Sequence, residues 1–96
     1  MNYRDLYLEL ISLFLSDAMT RKEVADRMAR EVPVDKKYEE DTELLENCEW
    51  ALRHAFEPDY FTATAEFEYY LECLKGQEKF SVQERDRRIA SGGRGR

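Results

Sequence analysis

The chain has 96 residues, of which 43% are hydrophobic and 38% are charged, and its formal net charge is −6. This apolar content is enough for one modest core, so the composition argues against wholesale disorder and fits one domain. Only two prolines and four glycines occur, and so few turn-forming residues are typical of long helices rather than of many short strands.

The first predicted helix covers residues 3–16. Four apolar residues recur at helical spacing on one face: Leu6, Leu10, Leu13 and Phe14. Arg4, Asp5 and Glu9 interrupt the apolar run, which is also too short to span a bilayer, so we expect neither a membrane span nor a signal peptide. We therefore expect a cytoplasmic protein.

The second predicted helix begins at Thr20 and ends near Val32, just before Pro33. Thr20 and Glu23 have the spacing of a capping box, in which each side chain bonds a backbone N–H group of the helix start. Residues 20–29 resemble the first helix of a helix-turn-helix DNA-binding unit. A recognition helix would have to follow, but a strongly acidic stretch follows instead, and phosphates would repel it. We do not expect direct binding to nucleic acid.

A charged linker, residues 33–41, leads to the third predicted helix, residues 42–56. We expect Asp41 or Thr42 to cap this helix and Tyr38 to pack as a lid on the core. The core face of the helix is predicted to hold the following apolar residues: Leu44, Leu45, Cys48, Ala51, Leu52, Ala55 and Phe56. The opposite face holds four residues that we expect to bind a partner: Glu43, Asn47, Trp50 and His54. Trp50 is predicted to be either covered by another segment or available as an interface anchor.

An elbow at Pro58 separates this helix from the fourth, predicted over residues 61–75 with a stop at Gly76. We expect Thr62 or Thr64 to cap it. On its polar face we expect three further partner-binding residues: Glu68, Tyr69 and Glu72. The predicted fold is thus an all-α, compact bundle of four to five short-to-medium helices with short loops.

A short fifth helix is predicted over residues 82–90, with Ser81 and Glu84 as a second capping box. Residues 91–96 are predicted to be a flexible Gly/Arg tail, so that residues 1–90 form the domain. The segment 85–96 holds five arginines against Asp86, and it could fold back on an acidic surface.

The chain lacks the sequence patterns of a catalytic or metal site. No Gly-rich phosphate loop or cofactor motif is present, and His54 is the only histidine. Cys48 and Cys73 do not form a CxxC pair, and each lies in an apolar pattern as a small buried residue, so a disulfide would require their helices to face each other. We expect no enzyme activity, no cofactor and no metal.

Residues 38–72 contain eleven acidic residues against Arg53 alone. This distribution predicts a protein-binding module, whose acids steer a basic partner toward aromatic anchors. In size, acidity, helical character and the Tyr69-Tyr70 pair beside acids, the chain resembles the small acidic helical immunity proteins that neutralise basic bacterial toxins. A homodimer through the same face would fit equally. The alternative is a nucleic-acid-related regulator that acts through residues 20–29 or as an acidic mimic of DNA.

Overall fold

The computed structural model describes residues 2–57 and 62–92, which form five α-helices and, within those ranges, no strand. The helices are α1 (Tyr3–Leu15), α2 (Arg21–Glu31), α3 (Thr42–Arg53), α4 (Thr64–Leu74) and α5 (Val82–Gly92). The predicted all-α bundle is therefore confirmed. The predicted elbow at Pro58 and residues 93–96 of the predicted tail lie outside the described residues.

Helix α1 lies at the centre of the bundle, where it packs against α2, α3 and α4. Its residues Tyr7, Leu10 and Ile11 are completely buried. The predicted apolar faces of α2 and α3 meet it, with Met28 and Leu52 also completely buried. Helix α5 packs mainly against α4, so it lies outside the central core.

Two of the predicted capping patterns are present at helix starts. At α2 the Thr20 hydroxyl accepts a hydrogen bond from the Glu23 N–H, and the Glu23 carboxylate accepts one from the Thr20 N–H. At α5 the Ser81 hydroxyl accepts from the Glu84 N–H at 3.0 Å. The Glu84 carboxylate binds arginines of its own helix instead of the helix start. The second capping box is therefore only half formed.

Asp41 occupies the N-cap position of α3, as predicted, but its side chain does not cap the helix, and the predicted cap of α4 is wrong. Asp41 precedes α3 with φ of 52° and makes no cap hydrogen bond, because its carboxylate forms an ion pair with Arg4. Ala63, not a threonine, precedes α4. Thr62 is buried, and its hydroxyl donates to the Ala51 carbonyl at 3.2 Å. The side chains of Asp41 and Thr62 thus bond residues of other helices, α1 and α3, rather than the helix start beside them.

Gly76 ends α4 as predicted. It has φ of 80°, a left-handed conformation that glycine adopts without steric cost. The Gln77 N–H then donates to the Glu72 carbonyl at 2.9 Å, which satisfies a carbonyl of the last helical turn. Asp17 takes the same position after α1 with φ of 64°, although it carries a side chain.

Phe56 was assigned to the core, and this is wrong, because its side chain is 58% exposed. Helix α3 ends at Arg53, three residues before Phe56, its predicted last residue. Beyond that point the helical repeat of about 100° per residue no longer determines which way a side chain points. Leu44, Leu45 and Ala55, from the same predicted face, are buried.

The linker between α2 and α3 is held by a polar cluster around Glu49. Tyr38 packs edge-on against the rings of Tyr3 and Tyr7, as expected of a lid. Its hydroxyl contacts the Tyr7 hydroxyl and donates to Glu49 at 2.9 Å. Arg53 donates to the other Glu49 oxygen at 2.7 Å. Glu49 thereby joins the linker to α3.

Lys36 completes this cluster through an ion pair with Glu49. Burial raises the pKa of the Glu49 carboxyl, but hydrogen bonds from Lys36, Arg53 and Tyr38 outweigh burial and hold that pKa below its usual value. Burial also raises the pKa of Tyr7 to about 12. Glu49 therefore stays ionised and Tyr7 stays protonated near neutral pH, and the cluster holds the linker in place.

Candidate functional site

Trp50 lies on the outer face of α3, as its position opposite the core residues predicted. Its side chain is 56% exposed, whereas Cys48, Ala51 and Leu52 on the other side of the helix are completely buried. One turn later, the His54 ring contacts the indole in a tilted arrangement, with centroids 4.0 Å apart and an interplanar angle of 39°. An exposed indole backed by a second ring is a preorganised apolar contact surface.

Acidic and amide side chains continue this strip toward the start of α3. Glu43, Glu46 and Asn47 precede Trp50 by seven, four and three residues, so they share one face of the helix. Glu43 and Glu46 are exposed, and none of the ion pairs between described residues involves them. We call Glu43, Glu46, Asn47, Trp50 and His54 the α3 strip. It extends for roughly 16 Å along the helix axis.

A groove of about 490 Å³ lies beside Trp50. Helices α3, α4 and α5 and the residue before α4 contribute its lining: Asn47, Trp50, Ala63, Glu66, Tyr70, Arg85, Asp86 and Ile89. The groove combines the exposed ring of Trp50 with the carboxylates of Glu66 and Asp86 and the guanidinium of Arg85. Two of the predicted site residues, Asn47 and Trp50, are thus brought together at one groove.

Glu66 is a buried carboxylate in this groove, with only 6% of the residue exposed. The Tyr70 hydroxyl donates to it at 2.6 Å. Burial and this hydrogen bond raise the pKa of Tyr70 well above its usual range, so Tyr70 remains a hydrogen-bond donor at neutral pH. Glu66 was not among the partner-binding residues predicted from the sequence. The apolar neighbours Ala65 and Phe67 were the only signal of its burial.

Arginines of α5 already bind two of the predicted site residues. Arg85 donates to the Asn47 side-chain oxygen at 2.8 Å. Arg88 donates to both Glu72 oxygens, at 3.0 and 3.2 Å. Glu72 therefore does not form a continuous open acidic surface with the α3 strip. The arginine-rich segment 85–96 was expected to be able to fold back on an acidic surface, and Arg88, which lies in its α5 part, does so at Glu72.

Tyr69 was expected on the polar face of α4, and this position is wrong, because the residue is completely buried. Its hydroxyl donates to the Lys79 carbonyl at 3.0 Å and accepts from the Ser81 N–H at 2.9 Å. The segment leading into α5 covers the face on which Tyr69 lies. Glu68, on the same helix, is partly exposed.

The two cysteines lie in the interior of the bundle. Cys48 and Cys73 are free and buried. Burial raises the pKa of both thiols, and a protonated thiol is a poor nucleophile. Within residues 2–57 and 62–92, no group of three or more His, Cys, Asp or Glu side chains is placed to hold a metal ion. None of the helices in those ranges is both long and apolar enough to cross a membrane.

Ten residues, 32–41, separate α2 from α3. The turn of a helix-turn-helix unit usually has three or four residues, so the resemblance seen in residues 20–29 does not extend past α2. Comparisons with protein-family models, with curated proteins and with solved structures found no match to this chain.

Proposed function

We propose that this protein is a small protein-binding module whose α3 strip binds a basic segment of another protein. The observation that carries this proposal is Trp50, whose side chain is 56% exposed beside a groove of about 490 Å³. Tryptophan supplies a disproportionate share of the binding energy at protein interfaces.

The charge of the surroundings determines the chemistry of the partner. Glu43 and Glu46 lie on the strip, and Glu39 and Glu40 are exposed just before α3. No ion pair between described residues neutralises these four carboxylates, so they attract a basic partner and speed its association at low ionic strength. The partner is therefore a protein with a lysine- or arginine-rich surface and an apolar side chain that contacts the indole.

The test is an affinity capture from nuclease-treated lysate of the native host, with four forms of the full chain as bait. These are the wild type, Trp50→Ala, Glu43→Lys/Glu46→Lys and Asp26→Lys/Asp35→Lys. The last is the control, because it makes the same change in net charge on α2 and the linker. We expect wild type and control to capture the same protein and the two strip variants to lose it.

Circular dichroism establishes that each bait is folded before capture. If all four baits capture the same protein, the α3 strip is not the binding site. If the captured protein is a second copy of this chain, the strip is a homodimer interface. If only nucleic acid is recovered when nuclease is omitted, and no protein is captured with it, the protein-binding proposal fails in favour of a nucleic-acid-related role.

A further inference from the structure

Helix α5 is attached to the rest of the molecule mainly through charged side chains. None of its residues 82–91 is fully buried. Val82, one of its two larger apolar residues, is 39% exposed, and Ile89 is only partly buried. A helix with so little buried apolar surface opens more readily than the core helices.

The segment before α5 is held differently. Phe80 packs against the rings of Tyr69 and Tyr70, with centroids 5.9 and 6.1 Å apart. The Tyr69 hydroxyl bonds the backbone at Lys79 and Ser81. These contacts involve uncharged groups at the start of α5. The helix can therefore detach while residues 79–81 remain in place as its pivot.

Beyond this pivot, α5 is held by Arg85 and Arg88. The two arginines are three residues apart and therefore lie on one face of the helix. Arg85 reaches Asn47 on the α3 strip, and it also lines the groove beside Trp50. Arg88 binds Glu72 through two hydrogen bonds and lies over the ring of Tyr69, 5.3 Å from its centroid. Planar guanidinium groups suit such bidentate and ring contacts. The surface thus already holds a basic helix, supplied by its own chain.

We propose that α5 covers part of the surface that the basic partner binds. The partner is itself a helix with two arginines one turn apart, and it displaces α5 when it binds. This inference rests on the proposed function for the identity of the site. Displacement would open the groove, because α5 forms one of its walls through Arg85, Asp86 and Ile89. When α5 covers the site in most molecules, the apparent affinity for the partner is the intrinsic affinity multiplied by the fraction of molecules in which the site is uncovered.

The test uses the full chain and a fluorescent peptide that copies residues 80–92, with fluorescence anisotropy as the readout. In the Arg85→Ala/Arg88→Ala variant the side chains that hold α5 are removed and the surface beneath is unchanged. We expect this variant to bind the peptide at least about tenfold more tightly than the wild type. A tenfold difference corresponds to a wild type in which α5 covers the site in about nine molecules of ten. Adding Glu72→Gln should reverse the gain.

Arg87→Ala is the matched control, because Arg87 binds Glu84 of its own helix and its side chain is 61% exposed. It should bind the peptide no better than the wild type. A peptide in which alanine replaces both arginines should not bind any form. Hydrogen exchange of the α5 amides is measured on the same samples and should be faster in the variants that carry Arg85→Ala/Arg88→Ala than in the wild type or Arg87→Ala.

Equal peptide affinity of the wild type and the double variant would overturn the inference, and so would unchanged hydrogen exchange in α5. The peptide arm does not depend on the native partner. If the double variant binds the peptide but the lysate yields no partner, the self-occupied surface stands and the proposed function fails. If a partner is captured equally by the wild type and the double variant, the partner does not compete with α5 and the displacement inference fails alone.

Discussion

The guanidinium of Arg88 donates two hydrogen bonds to the carboxylate of Glu72, at 3.0 and 3.2 Å, across the contact between α5 and α4. Neither side chain is deeply buried, with exposed fractions of 27% and 35%. Such a pair contributes modestly to stability and is weakened by salt. Its consequence here is positional, because it keeps a basic helix on an acidic surface.

A double-mutant cycle of Arg88→Ala and Glu72→Ala should show a coupling free energy of about 0.5 to 1 kcal/mol at low salt. The coupling should fall toward zero at about 1 M salt, where screening acts over roughly 3 Å. Chemical denaturation of the four proteins measures it. Additive effects of the two substitutions at low salt would show that the pair does not hold α5.

Tyr69→Phe should destabilise the protein by about 1 to 2 kcal/mol, because its hydroxyl satisfies the Lys79 carbonyl and the Ser81 N–H at once. Urea denaturation measures the change. Tyr3→Phe is the control, since no hydrogen bond between described residues involves the Tyr3 hydroxyl. A Tyr69→Phe variant of wild-type stability would contradict the structural role assigned to this buried ring.

Trp50→Ala should cost less than about 1 kcal/mol, because the side chain is 56% exposed. Leu52→Ala, on the opposite face of α3, removes a completely buried side chain and should cost about 2 to 5 kcal/mol. Thermal denaturation compares the two variants. In the wild type, a water-soluble quencher should reach the Trp50 fluorescence. A large stability loss for Trp50→Ala would mean that the ring acts as part of the core.

Glu49→Gln should lower the free energy of unfolding by about 1 to 2 kcal/mol at pH 7, because it removes the charged acceptor that joins Lys36 and Arg53. The folded-state pKa of Glu49 lies below its usual value of 4.5. The carboxylate therefore adds stability above about pH 4.5, and this contribution disappears as the pH falls through the depressed pKa.

The difference in stability between the wild type and Glu49→Gln should accordingly shrink as the pH falls below 4.5, measured by urea denaturation at each pH. Glu46→Gln is the matched control, since Glu46 is exposed on the same helix and should change stability little at any pH. A difference for Glu49→Gln that is constant with pH would show that its charge does not matter.

Asp17→Gly should raise stability by about 0.5 to 1 kcal/mol. Asp17 has φ of 64°, a strained conformation for a residue with a side chain. Its carboxylate also lies at the negative end of α1, where an acid is unfavourable. Asp17→Ala keeps the steric strain and loses the tolerance that aspartate has for this conformation, so it should not stabilise. Melting temperatures that change in the same direction for both variants would contradict this explanation.

Helical periodicity in the sequence was enough to predict the existence of all five helices, the buried faces of Leu10 and Leu52, and the outward direction of Trp50. Local patterns also predicted the Thr20 capping box and the stop at Gly76. These features depend on residues within about one or two helical turns of each other. The residues of one short segment are therefore enough to predict each of these features.

Only the tertiary structure decided which polar faces are covered. Tyr69 lies between acids in the sequence, yet the segment leading into α5 buries it, and Glu49 lies on a charged helix, yet the linker folds over it. Glu72 and Asn47 were expected to be open and are bound by arginines more than ten residues away. A helix repeat specifies which side chains share a face, but whether a distant segment covers that face depends on packing between helices.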